Sequence, residues 1–284
     1  VTGVSLGLVL VAAFFHATWN LLAKRAGTGG AEFVWLHGAL STAIYLPVVI
    51  VVVAVVRPAI GAARLVFMFG SGVLHVAYFT ILQRGYHEGD LSLVYPLARG
   101  SGPMLSTAAA IAFLGEHPTP LALTGAGFVC VGVLVIGTTR RTGPVRTAVI
   151  FGLSTGGIIA AYTLWDKHAV SSLAVPAVLL DWSSNLVRSV ILTPRATRRF
   201  DLVRDVWTKH RNEAIGVAIL APLAYILVLI ALSRSLVSYI APAREVSILI
   251  GTFFGVCVLR EEGIRQRLIG AAAIVAGLVC LALG

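Results

Sequence analysis

Residues 92–99 read Ser92-Leu93-Val94-Tyr95-Pro96-Leu97-Ala98-Arg99, and residues 238–244 read Ser238-Tyr239-Ile240-Ala241-Pro242-Ala243-Arg244. Each stretch opens on a serine four residues before a proline and reaches an arginine inside an apolar run. The Ser-x-x-x-Pro pairs are 146 residues apart and the arginines 145, so one residue is missing between proline and arginine in the second stretch. Working outward, Trp19-Asn20 precedes Trp165-Asp166 by 146 residues. Leu114-x-Glu116 precedes Leu259-x-Glu261 by 145, and Gly125 and Gly132 precede Gly270 and Gly277 by the same distance. Matches in one order at one spacing mark a chain whose second half repeats its first.

Composition sets the environment of that repeat. Of 284 residues, 58% are hydrophobic and 12% charged, and the mean hydropathy is +0.92. A soluble domain is about 25% charged, and no soluble globule of this size can hide so much apolar surface. A soluble enzyme, a disordered chain and a fibrous protein are excluded, which leaves a polytopic membrane protein. Apolar segments fall near 4–23, 32–56, 65–84, 91–114, 120–138, 147–167, 174–193, 213–233, 237–259 and 268–284. Each is close to the roughly 20 residues that a helix needs to cross a bilayer, and none alternates as a barrel strand does. The expectation is an all-α integral membrane protein of ten transmembrane helices. It divides into one five-helix repeat at 1–138 and a second at 147–284. Five is odd, so the second repeat enters the membrane from the opposite side. That is an inverted-topology repeat, which has two near-equivalent conformations and suits alternating access.

The formal charge is +10. The basic residues sit in short loops, where they fix topology, and no nucleic-acid partner is expected. Loops after odd-numbered spans hold 15 of the 22 Lys and Arg, and loops after even-numbered spans hold 4. Positive-inside bias places the richer side in the cytoplasm and both termini outside. The connection 194–212 is the longest and carries six basic residues, with Phe200, Val203 and Trp207 spaced for an amphipathic helix on the membrane surface. Cys130, Cys257 and Cys280 lie in apolar runs and form neither a disulfide framework nor a metal motif. The glycine pairs Gly3/Gly7, Gly152/Gly156 and Gly251/Gly255 have the spacing that lets helices approach closely. They are read as packing within the chain, with a homodimer as the alternative. Gly152-Leu153-Ser154-Thr155-Gly156 matches a nucleophile elbow but lies inside a predicted membrane helix with no strand before it, so no catalytic role is assigned.

The segment Phe15-His16-Ala17-Thr18-Trp19-Asn20 with Lys24, the two Ser-x-x-x-Pro openings, and Leu114-Gly115-Glu116 followed by Pro120 and a glycine-rich span resemble the EamA-type repeat of the drug/metabolite transporter superfamily. The resemblance covers essentially the whole chain. It implies ten helices in two inverted repeats, and a central cavity lined by spans one, three, four, six, eight and nine. It also implies export or exchange of small polar metabolites in a bacterial cytoplasmic (inner) membrane. The superfamily's usual topology puts both termini in the cytoplasm, opposite to the charge count, and orientation stays open between the two.

Ionisable side chains inside a bilayer face a bundle interior or a wet cavity. Arg99 and Arg244, each several residues into its span, are near-mates in the repeat and suit an oxyanion, which a guanidinium fork binds bidentately. The alternative is that both hold the bundle through ion pairs. Glu245 adjoins Arg244, but adjacent helical positions diverge by about 100°, so it need not neutralise that arginine. Pro96 and Pro242 deprive the carbonyls of Ser92 and Ser238 of helical donors, which exposes backbone where transporters bind ligands. His16, Trp19 and Asn20 share one face of span one, and Tyr162, Trp165 and Asp166 the matching face of span six. His75 and Tyr78 pair similarly in span three, and Tyr95 adds a hydroxyl in span four. Asp181, Ser184, Asn185 and Arg188 form one stripe on span seven. Asp181, Glu245 and His75 are the proton-coupling candidates.

The sequence therefore predicts a secondary active transporter, an exporter or exchanger, of small anionic or zwitterionic metabolites by alternating access. A membrane channel and an intramembrane enzyme are the alternatives. Substrate contacts are expected from Arg99, Arg244, Tyr95, His16, Trp19, Asn20, His75, Tyr78, Tyr162, Trp165, Ser92 and Ser238. The expected partners are the metabolite, the lipid bilayer and protons. No cofactor, metal or catalytic residue is expected.

Overall fold

The computed structural model describes residues 3–26, 30–88, 91–137, 145–251 and 264–284. These residues form helices joined by short turns, with no strand among the described residues. In order they are α1 (Gly3–Arg25), α2 (Ala31–Val56), α3 (Ala62–Glu88), α4 (Leu91–Leu114), α5 (Pro120–Gly137), α6 (Val145–Ser171), α7 (Ala177–Arg198), α8 (Phe200–Arg234), α9 (Val237–Ala243) and α10 (Ile264–Leu283). Helices α1, α2, α3, α6 and α8 are long and apolar enough to cross a membrane, and α5 and α10 are shorter apolar helices. Many large apolar side chains on these helices point outward, among them Val55, Phe69, Phe113 and Leu268. This is the surface expected of a protein whose solvent is lipid.

Local chemistry ends the helices where the chain must turn. Arg57 takes the left-handed conformation after α2, with its N–H bonded to Val53 O at 2.9 Å. Gly115, at φ +64°, closes α4 without a Cβ penalty. The chain passes Pro96 and Pro103 without leaving helical conformation in α4, so the break expected at Pro96 is not there. In the second half the helix does break. Helix α9 stops at Ala243, residues 244–245 form a turn, and helix resumes over 246–251. Three-residue bonds cross this point, from Glu245 N to Pro242 O and from Ile248 N to Glu245 O.

The connection expected at 194–212 is helical almost throughout. Helix α7 runs on to Arg198 and α8 starts at Phe200. His210, at φ −134°, kinks α8 and separates a first segment, in which Phe200 and Trp207 are exposed, from the apolar remainder.

Helix α5 packs on α10, α2 on α7, α3 on both α6 and α7, α8 on both α1 and α2, and α4 on α6. The α5–α10 contact is made backbone to backbone. A Cβ on Gly125 would meet Gly277 O at 2.7 Å, and one on Gly132 would meet Gly270 O at 2.6 Å. The order of these contacts makes the two helices antiparallel. Gly152 and Gly156 likewise let α6 settle on Leu97 and Ser101 of α4. Gly3 and Gly7 meet nothing within 4 Å, so this pair is not a packing seam within the chain, as the spacing had suggested. Gly251 is similarly open, while its partner Gly255 lies outside the described residues.

The turn between α8 and α9 is held from both sides. Lys167 Nζ donates to Leu232 O (2.7 Å) and Ser235 O (3.0 Å) at the end of α8. The buried Glu116 carboxylate accepts from Val237 N (2.7 Å), Ser238 N (2.9 Å) and Ser238 Oγ (2.7 Å) at the start of α9. A cation on the carbonyl end of one helix and an anion on the amide end of the next both complement the helix dipoles.

Candidate functional site

The core of the bundle holds a charged cluster built from α4, α6 and the break after α9. Arg99, Arg244 and Glu245 are all buried. Arg99 Nη2 lies 2.9 Å from Glu245 Oε2, and Arg244 Nε lies 3.5 Å from Glu245 Oε1. The carboxylate therefore sits between the two guanidinium groups. Neighbours in sequence reach each other here through their long side chains, at the turn over 244–245. Arg99 Nη2 also reaches Ser247 Oγ at 3.4 Å, while Arg99 Nε has no hydrogen-bond partner among the described residues. Arg244 Nη2 donates to the Tyr162 hydroxyl at 3.2 Å, and its guanidinium carbon lies 5.8 Å from the centre of that ring. Two guanidinium groups thus share one carboxylate, and Arg99 Nε is a spare donor among the described residues.

Aromatic and polar side chains adjoin the cluster. Tyr95 lies one turn from Arg99 on the same face; protein surrounds it, yet it is 37% exposed. His16 and Tyr78 are also enclosed by protein and only partly buried, and both lie within electrostatic range of the arginines. His75 stacks on Tyr162 at 4.5 Å and meets Tyr225 edge-on at 5.3 Å. Its Nδ1 lies 2.8 Å from Ser71 O; a carbonyl only accepts, so the proton is on Nδ1.

The remaining expected contacts lie elsewhere. Trp165 donates from Nε1 to Phe67 O (2.8 Å) and stacks on Phe67, away from the arginines. It helps to line an apolar outer groove of about 620 Å³ with Leu65, Val66, Phe69 and Gly70. Ser238 is held by Glu116 at the mouth of α9, so its hydroxyl is not a cavity group. Asn20 folds back onto His16 O (2.7 Å), and Trp19 meets His16 edge-on at 4.9 Å and packs with Phe33 and Val217. The side chain of Ser92, like Cys257 and Glu261, lies outside the described residues.

The α7 stripe forms a second polar cluster. Asn185 links its two charges, donating to Asp181 Oδ2 at 2.9 Å and accepting from Arg188 Nη2 at 2.5 Å. Ser184 joins this stripe to the central cluster, at 3.3 Å from Ser71 Oγ and 3.4 Å from His75 Nδ1. Beside the site stand Tyr225 on α8, which sequence reasoning left without a role, and Asp166 on α6, expected only as part of the polar-aromatic face of span six, whose Oδ2 accepts the Tyr225 hydroxyl at 2.5 Å. The sequence signals for Asp166 were its match to Asn20 and its place on one helical face with Tyr162 and Trp165; Tyr225 sits in an apolar run with no motif.

No family model and no curated protein sequence matches the chain. A solved structure described only as "Crystal structure of protein" superposes with a TM-score of 0.78 at 15% identity, covering 98% of this chain and 96% of its own. At that identity the likeness is one of fold alone.

Proposed function

We propose that the protein is a secondary transporter, an exporter or exchanger, of small anionic or zwitterionic metabolites. It works by alternating access between two inverted five-helix halves of the EamA type, in a bacterial cytoplasmic membrane. The observation that carries this reading is the pair Arg99 and Arg244. They are repeat mates from opposite halves, they are buried, and among the described residues Glu245 is the carboxylate that both of them reach. An oxyanion entering the core meets Arg99 Nε, which has no hydrogen-bond partner among the described residues, and Arg244, whose contacts among them are a 3.5 Å approach to Glu245 and a tyrosine hydroxyl. His16, Tyr78 and Tyr95 supply hydrogen bonds around it.

The helix contacts support the two-half scheme. Exchanging the halves turns the α3–α6 contact into α8–α1 and the α3–α7 contact into α8–α2, and leaves α2–α7 and α5–α10 unchanged; each of these pairs is in contact. The same exchange turns the Gly125–Gly277 contact into Gly270–Gly132. A rotation about an axis in the membrane plane produces this pattern. The broken helix beside Arg244 is a further feature of sites where transporters hold ligands.

The test is counterflow. Proteoliposomes are preloaded with unlabelled solute from a panel of amino acids, 2-oxo acids and phosphate esters, then given a trace of the labelled form. A transient, saturable overshoot supports the transporter. A linear, non-saturable flux indicates a channel, and chemical conversion of the solute indicates an enzyme.

A further inference from the structure

Asp166 stands behind the arginine cluster, is completely shielded from water, and has two hydroxyls beside it, that of Tyr225, which is hydrogen-bonded to it, and that of Ser71. Its Oδ2 takes the Tyr225 hydroxyl at 2.5 Å, its Oδ1 has no hydrogen-bond partner, and no ion pair reaches it among the described residues. Among the other buried carboxylates, Glu245 is paired with Arg99 and Glu116 takes three donors, while Asp181 takes one side-chain donor, from Asn185. An ionised carboxylate offers about four acceptor sites, and one that is buried with an oxygen empty is costly. Its vacant oxygen is a place for a proton.

The groups around Asp166 connect it to the anion site. Tyr225 faces it from α8, His75 and Ser71 from α3, Asp181 from α7, and Arg244 from the break after α9. Arg188 on α7 is held by Asn185, and Arg99 and Tyr95 lie beyond it on α4. Tyr162 is one helical turn away on α6 itself. From Asp166 the contacts run without a gap through Tyr225, His75 and Tyr162 to Arg244.

We propose that Asp166 is a proton-binding site that couples anion exchange to protonation, linked to the anion site through Tyr225, His75 and Tyr162; co-binding of proton and anion selects the exchanger over the exporter, because an inward proton gradient opposes export of a solute carried with the proton. This rests on the transporter reading. With Asp166 ionised, Arg99, Arg244, Glu245 and Asp166 sum to zero; with Asp166 protonated they sum to +1, and a monoanion completes the balance. The step forms one O–H bond at Oδ1 with a proton from the open aqueous side. That bond breaks when the site faces the other side, and nothing is oxidised or reduced. Proton and monoanion therefore bind cooperatively, each raising the affinity for the other by the same factor. A hard metal cation needs several oxygen ligands, and here Oδ2 is already engaged by a hydroxyl hydrogen.

The experiment uses acid as the sole ligand. Infrared difference spectra of the full chain in lipid nanodiscs, recorded during a pH titration in choline buffer, report protonated carboxyl groups through their C=O stretch. The expected result is a carboxylic-acid band that grows as pH falls, disappears in Asp166→Asn, and shifts in frequency in Tyr225→Phe. A titrating spectrum unchanged by Asp166→Asn overturns the proposal. If that variant does not fold, Tyr225→Phe decides, and an unshifted band overturns it. Sodium replacing choline at fixed pH should leave the band alone; a sodium-driven change that matches the acid-driven one assigns the site to a metal cation instead. Because no solute is used, failure here is distinct from failure of the counterflow test.

Discussion

Arg99 of α4 and Glu245, in the helix break after α9, lie 2.9 Å apart with side-chain exposures of 9% and 1%. They join the two halves of the chain at its centre. Arg244, the repeat mate of Arg99, reaches the same carboxylate only at 3.5 Å. The two arginines are equivalent in sequence and unequal in structure, and their substitutions should differ. Arg99→Gln leaves Glu245 buried without its close partner and should destabilise the protein by about 3–5 kcal/mol. Arg244→Gln keeps the Arg99–Glu245 pair, so the melting temperature should change little while solute affinity falls by about 2–5 kcal/mol. Melting in detergent beside binding titrations reads both. Equal loss of stability in the two variants, with affinity intact, returns both arginines to a bundle-holding role.

The arginines were legible as a pair from spacing and depth alone. The link between them was not, because long side chains at adjacent positions can still reach each other, as those of Arg244 and Glu245 do at the turn over 244–245. The break expected at Pro96 failed for a related reason: a proline removes one helical bond but does not dictate whether the neighbouring turns compensate. Trp165 has the right helical face by spacing, yet Phe67 and Gly70 draw it to the outer groove. Glu116 was visible as a repeat position and not as the cap of a helix 121 residues away, since no local pattern encodes a long-range cap. Apolar length and duplicated glycines were readable because each follows from composition or period. Partner choice within the core was not.

Glu116 should be as sensitive as a core ion pair. Its carboxylate accepts two backbone N–H groups and a hydroxyl at the start of α9. Glu116→Gln replaces one acceptor oxygen by a donor that faces these donors. The expected loss is about 1.5–3 kcal/mol, seen as a lower melting temperature. A variant as stable as the parent would show that the cap contributes nothing.

The α5–α10 seam predicts a contrast among glycines. In Gly132→Ala the new methyl meets the Gly270 carbonyl, which is backbone and cannot turn aside. The cost should be about 1–3 kcal/mol. Gly157→Ala on α6 meets nothing within 4 Å and should be neutral or stabilising by about 0.5–1 kcal/mol. Melting temperatures of the two variants in detergent give the comparison, and equal effects would contradict the contact described.

The basic end of α7 and the first segment of α8 give a test of orientation. Arg195 and Arg199 approach Glu32 at 3.4 Å and 3.8 Å and remain more than half exposed. The charge count predicts that this end is cytoplasmic. A cysteine at Arg199→Cys should then be protected from a membrane-impermeant thiol reagent in intact cells and react after permeabilisation. Labelling in intact cells reverses the orientation and agrees with the topology implied by the EamA resemblance.

Transport itself is tested most directly by counterflow with the parent protein and Arg244→Gln reconstituted side by side. The parent should give a transient overshoot of labelled anionic or zwitterionic solute, saturated by excess unlabelled solute, and Arg244→Gln should lose it while remaining folded. A flux that shows no overshoot and no saturation for any member of the panel, or an overshoot untouched by Arg244→Gln, would contradict the proposed anion transporter.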